Sequence, residues 1–131
     1  MSTQFTVKAK ENSVSGGAPV NTGVAVQPGL LLTITVPPDE LWSAGTGDRK
    51  SNANGLHNPL GGDFGTFDKG PFAFLYGSLV GSLDGGKTFF PVGTRMEMTV
   101  LAKGNLSLYY WDVNHDDNSG SVTATVETYK L

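Results

Sequence analysis

Hydrophobic residues recur at every second position along most of the chain, the period of half-buried strands rather than helices. Phe5, Val7 and Ala9 alternate with Thr6 and Lys8 and predict a first strand. A Ser/Gly/Pro turn region runs from Ser13 to Pro19, and a weaker alternation through Val24 and Val26 ends at the turn signal Gln27-Pro28-Gly29. Leu30 to Val36 is a β-branched run with Leu32, Ile34 and Val36 on one face, closed by Pro37-Pro38. Phe72 to Val80 is apolar enough to predict one buried strand, and Thr88 to Val92 predicts another after the glycine turn at Asp84-Gly85-Gly86. Three clean alternations follow: Met96, Met98 and Val100; Leu106, Leu108 and Tyr110, entered by a turn at Lys103-Gly104-Asn105; and Val122, Ala124 and Val126. No stretch of about a dozen residues carries a capped 3.6-residue stripe. The pattern predicts an all-β fold, a β-sandwich or jelly roll of about eight mostly antiparallel strands, in one domain over residues 1–131.

The segment from Trp42 to Asp68 breaks this regularity. It is polar and glycine-rich, and it has no sustained alternation. Long irregular stretches inside small domains tend to be functional or disordered. Trp42, Leu56, Leu60, Phe64 and Phe67 are spaced to anchor it, which predicts an ordered loop, with a surface excursion of no special role as the alternative.

Composition removes several classes of function. Eighteen glycines and seven prolines without a fixed period suit many short elements joined by tight turns, not collagen or a linker. A net charge of −3 with dispersed Lys and Arg argues against nucleic acid as partner and against attraction to an anionic membrane. No apolar run is long enough to predict membrane insertion. The absence of cysteine rules out disulfides and thiolate metal sites. The N-terminal residues show no basic-then-apolar signal pattern. The expectation is therefore a cytoplasmic protein, with release or cell-surface action by a non-Sec route as the alternative.

The densest polar cluster is Asp112-Val113-Asn114-His115-Asp116-Asp117-Asn118-Ser119-Gly120, between two clear strands. Its carboxylates repel one another unless a cation neutralises them, and hard oxygen donors of this kind suit Ca2+. The same residue types also make ordinary solvated turns, and composition alone leaves both readings open. An EF-hand does not fit: the sixth position is Asp117 rather than Gly, the twelfth is Thr123 rather than Glu, and the flanks are strands. The sequence contains no Gly-x-Ser-x-Gly elbow, phosphate-binding loop or HExxH motif, and its two histidines, His57 and His115, read most simply as surface residues. The expectation is a binding protein and not an enzyme.

At this loop the chain resembles a known family. Tyr110-Trp111-Asp112-Val113, a short acidic turn, and then Asp117-Asn118-Ser119-Gly120-Ser121-Val122 are similar to the calcium loop of the Pseudomonas LecA (PA-IL) type of galactose-binding lectins. Further similarities occur in the same order: Gln27-Pro28-Gly29 with Leu32-Thr33-Ile34, Trp42 with Gly47-Asp48-Arg49 and Gly55-Leu56, Gly77-Ser78-Leu79-Val80, and Pro91-Val92-Gly93. The resemblance implies a jelly-roll β-sandwich of the galactose-binding-domain-like kind, a calcium-dependent lectin for terminal galactose-containing glycans, and a homo-oligomer, a tetramer in the family. It assigns metal ligation to Asp112, Asp117 and Asn118, with backbone carbonyls from Asn114 or His115 and from near Gly45. Asp112, Asp117 and Asn118 also reach the sugar in this reading. Ser51 and Asn54 stand where the family has a His and a Gln against the sugar ring, and a lectin for a different sugar is the alternative this departure implies. A β-sandwich module in which the metal only staples a loop is the competing expectation.

Overall fold

The computed structural model describes residues 2–45, 49–56 and 65–131. Expectations that fall on Gly47, Asp48, His57, Leu60 and Phe64 lie outside the described residues. The described residues form twelve strands and no helix. They are β1 (Ser2–Lys8), β2 (Val20–Val26), β3 (Leu30–Thr35), β4 (Trp42–Ser43), β5 (Lys50–Ser51), β6 (Thr66–Lys69), β7 (Phe72–Leu75), β8 (Leu79–Ser82), β9 (Phe90–Pro91), β10 (Arg95–Thr99), β11 (Gly104–Tyr110) and β12 (Ser119–Lys130).

The predicted alternations account for the long strands, and the count exceeds eight because several additional strands have only two to four residues. The run Phe72 to Val80 is two strands, not the single strand expected. Gly77, at φ 81°, breaks it in a conformation that side chains resist, and a Cβ there would lie 2.9 Å from Ser51 Oγ. The strand expected from Thr88 starts later, at Phe90, because Asp84 holds the preceding residues in a turn. Its Oδ1 accepts from the amides of Lys87 and Thr88 at 3.1 and 2.9 Å. The irregular Trp42–Asp68 segment contributes β4, β5 and the start of the β6–β7 hairpin.

Two main sheets face each other. One has the order β10-β3-β12-β4-β5 with β1 also paired to β12, and the other has the order β2-β11-β8-β9. Every strand pair is antiparallel. Val7, Leu32, Ile34, Val122, Ala124 and Val126 from the first sheet meet Val26, Leu79, Leu106, Leu108 and Tyr110 from the second in one buried core. This is sandwich packing, each sheet turning its alternate residues inward.

β11 is buried on both faces, which its alternation does not predict. Tyr109 and, one residue past the strand, Trp111 pack against the β6–β7 hairpin, where Phe67, Phe72 and Phe74 join Phe89 in a second, aromatic cluster around them. Trp111 Nε1 donates to Phe67 O at 2.7 Å, and the Phe74 and Phe89 rings meet Trp111 edge-on at 5.0 and 5.2 Å. Satisfying the indole N–H lets so large a ring be fully buried. The hairpin is thereby fixed beside the end of β11, where the acidic loop begins.

Candidate functional site

β11 ends at Tyr110 in one sheet and β12 begins at Ser119 in the other. The chain between them crosses one end of the sandwich, carrying the acidic residues with it. The segment after β1 braces this crossing. Val14 N donates to Tyr110 O at 2.9 Å and Tyr110 N to Asn12 O at 2.8 Å, while the buried Ser13 hydroxyl donates to Asn114 O at 3.4 Å.

Asp112 and Asn118 are the two deeply buried polar residues of the loop, 4% and 5% exposed. Asp112 Oδ1 accepts from Val113 N at 2.7 Å, but its Oδ2 is buried with no hydrogen-bond partner. Burial raises the Asp112 carboxyl above the ordinary carboxylate range, and the nearby charge of Asp117 adds to this. The hydrogen bond from the Val113 amide pulls the other way, as does the nearness of the Asn118 and Asn114 amides. Asn118 Nδ2 donates to Ala9 O at 3.0 Å and to Asn114 O at 3.1 Å. With both amide hydrogens used, Asn118 Oδ1 is left as a buried acceptor without a donor. Buried acceptors without a donor are costly and uncommon, and these two in one loop are atoms that a hydrogen-bond donor or a cation would satisfy.

Asp117 is more exposed and lies beside Gly45, where a Cβ would be 2.9 Å from its Oδ2, and 3.9 Å from Arg49 Nη1. The two loop carbonyls expected as ligands already have donors: Asn114 O takes Asn118 Nδ2 and the Ser13 hydroxyl, and His115 O takes Asn118 N at 3.2 Å. Gly45 O accepts the Ser43 hydroxyl. Of the other loop residues, Asp116 Oδ1 is 3.5 Å from His115 Nε2. Among the described residues, no three His, Cys, Asp or Glu side chains gather as a metal cluster. A cation at this loop would rest on a mixed set led by Asp112 Oδ2 and Asn118 Oδ1. Those two oxygens fit a hard cation, since both are acceptor atoms, both are buried and neither has a donor.

A cavity of about 250 Å3 opens against Asp112. Arg49, Asp112 and Asn114 form its polar wall, while Ala44, Leu56, Tyr76 and Val113 form its apolar wall. Apolar lining with a few convergent polar groups is the usual make-up of a small-molecule site.

The chain is similar to a solved structure described as the EclA N-terminal domain, a PllA-like lectin. The two share 26% sequence identity over 96% of this chain and 95% of that one, with a TM-score of 0.64. No protein-family model matches the sequence, and comparison with curated proteins finds no match.

The two residues expected at the sugar ring lie elsewhere than the cavity lining. Ser51 pairs with Trp42 between β4 and β5, and its hydroxyl donates to Asn52 O at 2.9 Å. Asn54 Oδ1 accepts from Thr94 N at 2.8 Å, and Asn54 lines a separate hollow with Pro91 and Arg95. Conversely, Leu56, Tyr76 and Val113 line the cavity, and little in the sequence marks them as contact residues. Leu56 carried a faint signal in the Gly55-Leu56 pair, whereas Tyr76 sits in an apolar run that reads simply as strand.

Proposed function

We propose that this chain is a calcium-dependent, non-catalytic lectin for galactose-type glycans. The observation that carries this reading is the pair of buried, donorless oxygens, Asp112 Oδ2 and Asn118 Oδ1, in the loop whose Asp112, Val113 and Asn114 line a cavity of about 250 Å3. The similarity to a PllA-like lectin supports it. Calcium, when bound, supplies a cationic partner for neighbouring sugar hydroxyls, which otherwise gain little by leaving water. Asp112 and Asn118 would hold the metal from the buried side, with Asp117 reaching from the exposed side. The same carboxylates accept hydrogen bonds from sugar hydroxyls, a charge-assisted contact stronger than a neutral one. Arg49 and Asn114 would add donors at the cavity wall. A homo-oligomer belongs to the same reading, because single sugar sites are weak and several on one particle bind far more tightly.

The competing reading is a metal that only staples the loop; in either reading the engaged carbonyls of Asn114, His115 and Gly45 would have to share their oxygens with the metal. Calorimetry with galactose in calcium and again in chelator separates the two. The lectin reading expects a saturable heat in calcium that disappears in chelator. Calcium binding without any galactose heat would leave only the staple, and galactose binding undiminished by chelator would remove the metal from the mechanism. Release of free sugar from galactosides incubated with the protein would show that the site is catalytic.

A further inference from the structure

The cavity beside Asp112 has an aromatic wall that the metal-based reading does not use, and the placement of that wall is over-determined. Tyr76 ends the hairpin unit, at the turn between β7 and β8. Its carbonyl accepts from Leu56 N at 2.7 Å, and the next residue, Gly77, donates from its amide to Trp111 O at 2.8 Å, one residue before Asp112. Ser78 closes the turn by donating from its hydroxyl to Leu75 O at 2.7 Å. The Tyr76 ring stacks on Phe67 with centroids 6.0 Å apart and planes 29° apart, and Phe67 rests in turn on Trp111 at 5.4 Å. Tyr76 is therefore tied through both backbone and ring to the strand that delivers Asp112. A half-buried ring held this firmly loses little freedom when something settles against it.

The same cavity carries the polar groups of Asp112, Asn114 and Arg49, so an amphipathic occupant suits it, with hydroxyls towards Asp112 and an apolar surface towards Tyr76. A galactose-configured pyranose has that form: its axial hydroxyl leaves the C–H groups of one ring face as a continuous apolar patch. The cavity volume lies just below the range typical of drug-sized ligands, which suits a single ring. We propose that Tyr76, backed by Phe67, is the platform on which the apolar face of the bound sugar ring stacks, and that it sets specificity at this site. The proposal rests on the lectin reading above and deepens it. Leu56 and Val113 add apolar surface to the same cavity, while Tyr76 contributes nothing to the metal.

The test is calorimetry of methyl galactoside, in saturating calcium, on the wild type, Tyr76→Phe and Tyr76→Leu, alongside a calcium titration of each. Tyr76→Phe keeps a ring and should stay within about threefold of the wild type, whereas Tyr76→Leu keeps apolar bulk without a ring and should weaken the sugar by roughly tenfold. Calcium affinity should change less than about twofold in both, which a general loss of structure would not allow. Saturation-transfer NMR on the wild type gives a second readout that needs no variant: magnetisation from the protein's aromatic protons should reach the C–H protons of one sugar face most strongly. Sugar affinity unchanged in Tyr76→Leu, or transfer spread evenly around the ring, overturns the platform while leaving the lectin reading intact. A wild type that binds no methyl galactoside in calcium overturns the lectin reading, and the platform with it.

Discussion

The side-chain amide of Asn118 donates to the carbonyl of Ala9 at 3.0 Å, joining the start of β12 to the chain just beyond β1. With its second hydrogen on Asn114 O, the amide can face only one way, and its oxygen is left buried without a donor. Asn118→Asp keeps an oxygen for a cation but replaces two donated hydrogen bonds with a carboxylate facing two carbonyls. We expect the metal-free protein to lose about 1–3 kcal/mol of stability, measured by urea denaturation in chelator. Calcium should recover part of that loss. Unchanged stability would show that the two amide hydrogen bonds do not hold the loop.

Asp112 is expected to behave in the opposite sense. Its charge is buried and its Oδ2 has no donor, so the metal-free fold carries the cost of desolvating it. Asp112→Asn should raise the melting temperature in chelator, because a neutral amide is cheaper to bury. The same change should abolish the calcium response. In the wild type, calcium at about a hundred times its dissociation constant should add about 2.7 kcal/mol, a rise on the order of 10 °C for a domain of this size. Scanning calorimetry of both proteins, with and without calcium, decides it. A wild type that melts at the same temperature in calcium and in chelator would remove the metal site.

How much of this was legible in the sequence follows from where each residue's environment comes from. The long strands were legible because a period of two is a local property, visible in Leu106, Leu108 and Tyr110 or in Val122, Ala124 and Val126. The acidic loop was legible because its residues are contiguous. The double burial of β11 was not, since it depends on a hairpin some forty residues away that covers Trp111. Tyr76 was illegible for the same reason: nothing in Phe72 to Val80 distinguishes a ring at a cavity from a ring in a core. The break at Gly77 was foreshadowed only by a glycine inside an apolar run. The resemblance pairs Ser51 and Asn54 with the family's contacts to the sugar ring, and the sequence gives no sign that the Thr94 amide donates to Asn54 Oδ1.

Asp84 provides a pH-dependent element remote from the site. Hydrogen bonds from the Thr88 hydroxyl and amide, with smaller contributions from Ser82 and Lys87, hold its carboxyl down to about 2 from the ordinary 3.8. A carboxyl depressed in the fold binds its proton more weakly there than in the unfolded chain. The stability it contributes is therefore complete above about pH 4 and is lost as the pH falls through about 2. The Thr88 amide signal should titrate with a midpoint near 2 in the wild type, and the gap in melting temperature between wild type and Asp84→Ala should narrow over that window. A Thr88 midpoint near 4 would mean that the turn does not stabilise the carboxylate.

The last expectation concerns assembly. β12 runs from the acidic loop to the far end of the sandwich, roughly 36 Å at about 3.3 Å per residue. At that far end Leu101, Leu131 and Tyr129 are 86%, 72% and 47% exposed. They belong together: Val100 N donates to Leu30 O and Leu131 N to Gly29 O, both at 2.9 Å, so Leu101 and Leu131 flank the start of β3, and Tyr129 pairs with Leu31 beside them. An apolar group of this kind costs free energy in water and is relieved by burial against a second copy. Association through this end would point the acidic loops of the two copies outward, the arrangement a multivalent binder needs. Light scattering of the wild type should therefore give at least a dimer mass at micromolar concentration. Leu101→Lys combined with Leu131→Glu should give a monomer that keeps the single-site affinity for methyl galactoside but loses most of its binding to a galactose-coated surface. A wild type of monomer mass would refute the assembly, and a monomeric variant that still binds the surface at full strength would show that avidity arises elsewhere.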